Sequence, residues 1–175
     1  MSAWRPFRKD PNAEAAAALY RAIVDQARRP DFYAGGGVPD SVDGRFEMIV
    51  LHSYLVLSRL RQAGEAGKEL AQSLVDAIFA DLDASLREMG AGDLGVGKRV
   101  KRMATAFYGR VGAYEEGEKA GTMAEALRRN LFGTAEPDAM QLAIMTSYVE
   151  AARDALASQP LGSIAKAELD FPALG

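Results

Sequence analysis

Few side chains in this sequence have types and spacing that could do chemistry. A single histidine, His52, lies inside the apolar run RFEMIVLHSYLVLSRL. Three carboxylates, Asp81, Asp83 and Glu88, precede the glycine-rich stretch GAGDLGVG at 90–97. Lys98, Arg99, Lys101 and Arg102 then open a basic run that ends in Phe107-Tyr108 and Arg110. A neutral imidazole can exchange protons near neutral pH, but no serine–aspartate–histidine arrangement accompanies His52, so it reads as a hydrogen-bonded packing residue. A divalent cation needs several oxygens converging on it, whereas Asp81 and Asp83 diverge on a helix, so no metal is expected. The glycine stretch follows a helix rather than a strand and lacks a Lys-Ser or Lys-Thr pair, which sets it apart from phosphate-cradling loops. Gly90 is instead expected to end a helix with a positive φ. The basic run keeps two readings: contact with phosphate or an anionic membrane surface, or a solvated helix face.

Composition limits what can carry these residues. With 175 residues, 49% hydrophobic and 26% charged, the chain is long enough to bury a core without metal or disulfide, and it has no cysteine for a disulfide, a thiolate nucleophile or a cysteine metal site. Alanine is abundant, valine and isoleucine are sparse, and prolines sit near apparent boundaries, which is an all-α signature. The net charge of -3 excludes nucleic-acid binding by overall electrostatics and leaves it to a local patch; no DNA is expected as a partner. The stretch MSAWRPFRKD lacks the apolar run of a secretion signal. No transit peptide is evident, and no later stretch is long enough to cross a bilayer.

The expected architecture is all-α, a single irregular bundle of roughly six helices, with an amino-terminal arm at 1–11, a helical domain at 12–169 and a tail at 170–175. Trp4 and Phe7 in the arm either pack back or meet a partner. A first helix starts near Pro11-Asn12 and stops at Pro30, with Leu19, Ile23 and Ala27 on its apolar face. The segment 31–46 is too rich in glycine, proline and aspartate for regular structure; either Phe32, Tyr33 and Val38 pin it to the core or part of it lines a recognition groove. The run from Arg45 makes the most enclosed helix, with His52 on its least greasy side. After a tight connection at Gly64 and Gly67, a long helix from about Lys68 to Met89 turns Leu70, Leu74, Ile78, Leu82, Leu86 and Met89 inward, and Arg87 offsets Asp83 four residues away.

The next helix, from about Val96, is amphipathic. Val96, Val100, Met103, Phe107, Val111 and Tyr114 form one face, Lys98, Lys101 and Arg102 point almost opposite, and Arg99 and Arg110 flank it. Gly117 and Gly121 are expected to break or bend the chain, and helix resumes through Leu127 toward Gly133. Thr134 to Pro137 reads as an entrance to a last long helix with two apolar sides. One carries Met140, Ile144, Tyr148, Ala151 and Ala155, the other Leu142, Met145, Val149 and Leu156; one is core and the other a candidate partner groove. A short helical turn follows from Ser163 toward Leu169.

GRFEMIVLH at 44–52, followed by FADLDASLREMGAGDLGVGKRVKRMATAFYGR at 79–110, resembles the ubiquinol-cytochrome c chaperone family, and the likeness continues to Tyr114 and into LRRNLFG at 127–133. The resemblance implies an all-helical assembly factor for the cytochrome bc1 complex that assists newly made cytochrome b, or an assembly intermediate of it, rather than catalysing ubiquinol oxidation. It implies a second assembly factor, the ribosome or an anionic membrane surface as further partners, and no cofactor. Carried over by motif, the client- or partner-binding residues are Asp81, Asp83, Glu88, Asp93, Phe107, Tyr108 and Arg110, and Lys98, Arg99, Lys101 and Arg102 form a targeting basic patch. Without a transit segment, the implied location is the bacterial cytoplasm, at the cytoplasmic face of the inner membrane. An assembly chaperone requires an exposed apolar surface beside the charged region 79–114. The competing class, a peripheral adaptor for anionic lipid or RNA, requires one open basic field with no groove. An enzyme requires polar side chains converging in a pocket.

Overall fold

From Met48 to Ser58 the chain carries no Asp, Glu, Lys or Arg, and that stretch becomes the axis of the molecule. The computed structural model describes residues 10–88, 90, 92–133 and 135–175, with the side chains of Asp93 and Leu94 excepted. The expectations for Trp4, Phe7, Met89 and the Asp93 side chain therefore lie outside the described residues. Among those residues all regular structure is helical: α1 (Ala13–Ala27), α2 (Asp31–Ala34), α3 (Val42–Arg61), α4 (Gly64–Glu88), α5 (Asp93–Ala120), α6 (Met123–Asn130), α7 (Ala139–Ser158) and α8 (Leu161–Ala165). Six of the eight run eight residues or more, which is the expected all-α bundle.

Helix α3 is the hub. It packs on α1, α4, α5 and α7, and the surrounding helices follow one another round it, α1 on α4, α4 on α5, α5 on α6 and α6 on α7, with α8 resting on α1. Met48, Val50, Leu51, Val56, Leu57 and Leu60 are fully buried on it. Each such side chain contributes about 1.5–3 kcal/mol when withdrawn from water, so α3 supplies the largest single share of the core. Its start is fixed by Ser41, whose hydroxyl accepts from the Gly44 amide at 3.1 Å. Gly44 is needed there, because a Cβ would collide with the Pro39 carbonyl oxygen. That enclosure takes in His52, the expected packing residue, which is completely buried.

Other elements differ from expectation for identifiable reasons. The glycine- and proline-rich segment contains one helical turn, α2, which seats Phe32 in the core. Helix α4 begins at Gly64, four residues before the expected start; only Gly64 has the positive φ of a turn. Gly67 lies inside the helix, where any Cβ would strike the Leu60 carbonyl oxygen, so it serves close approach of α4 to α3 rather than a bend. Likewise Gly117 stays helical against Ala126, and α5 ends only at Gly121 in the left-handed region. Gly90 has the expected positive φ. Helix α7 starts one residue after Asp138, whose carboxylate and the Gln141 side chain form a reciprocal cap. Its core side is Met145, Val149 and Leu156 together with Tyr148 and Ala152, while Met140 is 72% exposed.

Candidate functional site

A recess of about 670 Å³ lies where the start of α3 meets α5, the end of α4 and the turn after α6. Its volume falls within the range of about 300–1,000 Å³ typical of ligand sites. Apolar surface comes from Val42, Phe46, Leu86, Met103, Leu131 and Phe132. Val42 is 84% exposed, an aliphatic side chain left in water at the mouth of the recess. Four arginines line the same space, Arg99, Arg102 and Arg110 from α5 and Arg129 from α6, against two carboxylates, Asp43 and Glu47. The α5 residues arrive together because positions 99, 102, 103, 106 and 110 fall on one side of a helix of 3.6 residues per turn.

One of these arginines is tied into the fold. Arg110 Nε donates to both carboxylate oxygens of Glu47, at 2.5 and 2.6 Å. Glu47 is buried at the base of the recess, and burial pushes its carboxyl above the usual range while Arg110 opposes that shift. Below the pair, the Tyr114 hydroxyl is buried without a hydrogen-bond partner among the described residues, and burial raises its pKa. Arg99, Arg102 and Arg129 are exposed and meet no carboxylate among the described residues.

The structure separates the two residue sets read from the sequence. Of the basic patch, Arg99 and Arg102 turn into the recess, whereas Lys98 and Lys101 are exposed outside it. Of the client set, Arg110 lines the recess. Phe107 is 1% exposed, packed in the core with its ring 5.5 Å from Phe79. Tyr108 is 52% exposed on another side of α5, its ring 5.7 Å from Phe79. Asp81 accepts from the Tyr20 hydroxyl at 2.8 Å and so joins α4 to α1. Asp83 pairs with Arg87 at 2.6 Å, the expected offset across one helical turn. Glu88 is exposed at the end of α4. None of Asp81, Asp83 and Glu88 lines the recess, and among the described residues no group of three or more His, Asp or Glu could hold a metal ion.

Phe46, Glu47, Met103, Arg129 and Phe132 were not singled out from the sequence as site residues. Glu47 does carry a signal, being the one carboxylate in the otherwise apolar stretch Phe46 to Leu51. Arg129 carries only its place in LRRNLFG at 127–133, since nothing local says that the end of α6 returns to the start of α3.

His52 lies elsewhere and is fully used. Its Nδ1 is 2.8 Å from the Met48 carbonyl oxygen, which can only accept, so Nδ1 bears the proton. Nε2 therefore accepts from the Tyr148 hydroxyl at 2.7 Å, and that hydroxyl accepts from Gln26 Nε2 at 3.0 Å. Phe32 and Phe171 close over the ring at 5.3 and 5.1 Å. Burial lowers the His52 pKa to about 4, which leaves a neutral, enclosed imidazole.

Comparison with known proteins gives this arrangement its relatives. The family model described as Ubiquinol-cytochrome C chaperone matches residues 35–171. A Xenopus laevis protein, ubiquinol-cytochrome-c reductase complex assembly factor 1, is 27% identical over 137 residues, covering 77% of this chain and 68% of that protein. Its Mus musculus counterpart is 28% identical over 137 residues but only 46% of its length is spanned. The crystal structure of the Cbp3 homolog from Brucella abortus superposes with a TM-score of 0.80 at 38% identity, over 95% of this chain and 94% of that one. The family match takes in every residue lining the recess and most of the bundle, and on that extent the chain belongs to the ubiquinol-cytochrome C chaperone family.

Proposed function

We propose that this protein is a non-catalytic assembly chaperone for the ubiquinol-cytochrome c reductase complex, and that it shelters newly made cytochrome b, or an assembly intermediate of it, in the recess between α3 and α5. The observation that carries this reading is the apolar floor rimmed by arginines. Exposed apolar surface of this kind can cover an apolar stretch of an unfinished protein, and a charged rim orients the bound segment and keeps adhesion reversible. A non-catalytic role is supported by how the titratable groups are used: His52 is enclosed away from the recess, and Glu47 is held by Arg110. The protein then acts by occupancy, keeping a segment from aggregating until its proper partners arrive.

A second reading is favoured by Lys98 and Lys101. Both are exposed on α5 outside the recess and neither meets a carboxylate among the described residues, so they suit an anionic lipid or RNA surface. The two readings combine if these lysines hold the chaperone near the site of synthesis, at the cytoplasmic face of the inner membrane. No described helix is long and apolar enough to cross a membrane.

Site-specific photocrosslinking in membranes that are making respiratory complexes tests both. A photoreactive side chain at Val42 should capture newly made cytochrome b, and one at Ser158, at the far end of α7, should not. Recovery of lipid or RNA without cytochrome b would put the adaptor reading in its place.

A further inference from the structure

The recess is asymmetric in charge, and that asymmetry restricts what can lie in it. Four arginines face two carboxylates, and one of the carboxylates, Glu47, is already engaged by Arg110. Arg99, Arg102 and Arg129 are left facing the recess with no acidic partner among the described residues. A guanidinium is a planar fork that matches a carboxylate through two parallel hydrogen bonds, and between the forks lies the apolar surface of Val42, Phe46 and Met103.

Resting on the reading of this recess as the client site, we propose that it selects an acidic amphipathic peptide segment, one whose apolar side chains occupy the floor and whose carboxylates pair with Arg99, Arg102 and Arg129. Charge complementarity carries the choice of occupant. The chain's own amino-terminal stretch, MSAWRPFRK, offers apolar Trp4 and Phe7 but also Arg5, Arg8 and Lys9, with no carboxylate before Asp10. The rim repels it. An anionic membrane has the right charge but the wrong shape, since the three arginines converge on a concavity from two helices, α5 and α6. Apolar contact supplies attraction, and the rim supplies discrimination by rejecting basic segments as well as attracting acidic ones.

The test is fluorescence anisotropy with the full chain and three synthetic amphipathic peptides that share one apolar face and carry Glu, Gln or Lys beside it. Exposed arginine–carboxylate pairs contribute modestly one by one. Three together should separate the Glu peptide from the Lys peptide by about tenfold in Kd at low salt, with Gln between them, and the gap should narrow as salt rises. Arg99→Glu with Arg102→Glu should reverse the order. Both positions are exposed, so the fold is not at stake. Lys98→Glu with Lys101→Glu, on the same helix but outside the recess, should leave the order intact. Equal affinity for the three peptides overturns the proposal, as does an equal effect of the two double variants. It is also overturned if phosphatidylglycerol vesicles bind through Arg99 and Arg102 and are not displaced by the Glu peptide. If Val42 still crosslinks cytochrome b while the peptide order is flat, only the charge selectivity falls. If the order holds and no cytochrome b is captured, the assembly role falls and the acidic preference stands.

Discussion

At the scale of the residue, the single histidine shows how a group able to do chemistry can be spent on structure. His52 is neutral in the folded protein with a pKa of about 4, while in the unfolded chain it titrates near its ordinary value of about 6.5. Because the folded pKa is the lower one, the unfolded state binds the extra proton between those values. Stability is therefore full above about pH 6.5 and is lost as pH falls toward about 4. The shift corresponds to about 3 kcal/mol. His52→Gln keeps hydrogen-bonding capacity without a titrating ring. Its melting temperature should be lower than that of the native protein at pH 7, and the part of the acid dependence between pH 6.5 and 4 that His52 supplies should vanish. A native melting curve with no pH dependence across that window would show that the ring is not enclosed in solution.

At the scale of the element, glycines divide by what surrounds them. Gly67 has a carbonyl oxygen where its Cβ would be, so Gly67→Ala should push α4 from α3 and cost about 1–3 kcal/mol. Gly109 sits in the middle of α5 with nothing near the position of a Cβ, so Gly109→Ala should stabilise the protein by about 0.5–1 kcal/mol. Chemical denaturation of the two variants should show midpoints moving in opposite directions. Sequence alone read Gly64, Gly67, Gly117 and Gly121 as punctuation, yet Gly67 and Gly117 are contacts. Local pattern cannot distinguish a glycine that turns the chain from one that lets two helices touch. Periodicity placed the long helices because apolar spacing is a local property, and it reached Val96, Phe107, Val111 and Tyr114 on α5 correctly. It left the two sides of α7 undecided for the same reason that it missed Arg129: which face is covered depends on helices distant in sequence.

At the scale of the whole molecule, the tail packs against the core, with Phe171 and Leu174 partly buried. Gln159 accepts from the Asp170 amide at 3.0 Å and donates to the Glu168 carbonyl at 2.9 Å, which brings Phe171 against His52. Phe171→Ala should admit water to that ring, lower stability by about 2 kcal/mol and move the His52 pKa up toward its ordinary value, a change readable from the ring protons by NMR titration. The legible part of the site was chemical and the illegible part spatial: the basic run on α5 stood out, but the recess needed α3, α4, α5 and the turn after α6 at once. The hub arrangement also sets a folding order. The surroundings of residue 52 include residues 26, 32, 148 and 171, so the amino-terminal half cannot finish its core until residue 171 is present. Closure of such distant pairs is slow relative to local helix formation. Until α7 and Phe171 are made, the side of α3 that they cover has no partner, so that face passes through the same exposed condition that, in the proposed role, the protein relieves in another.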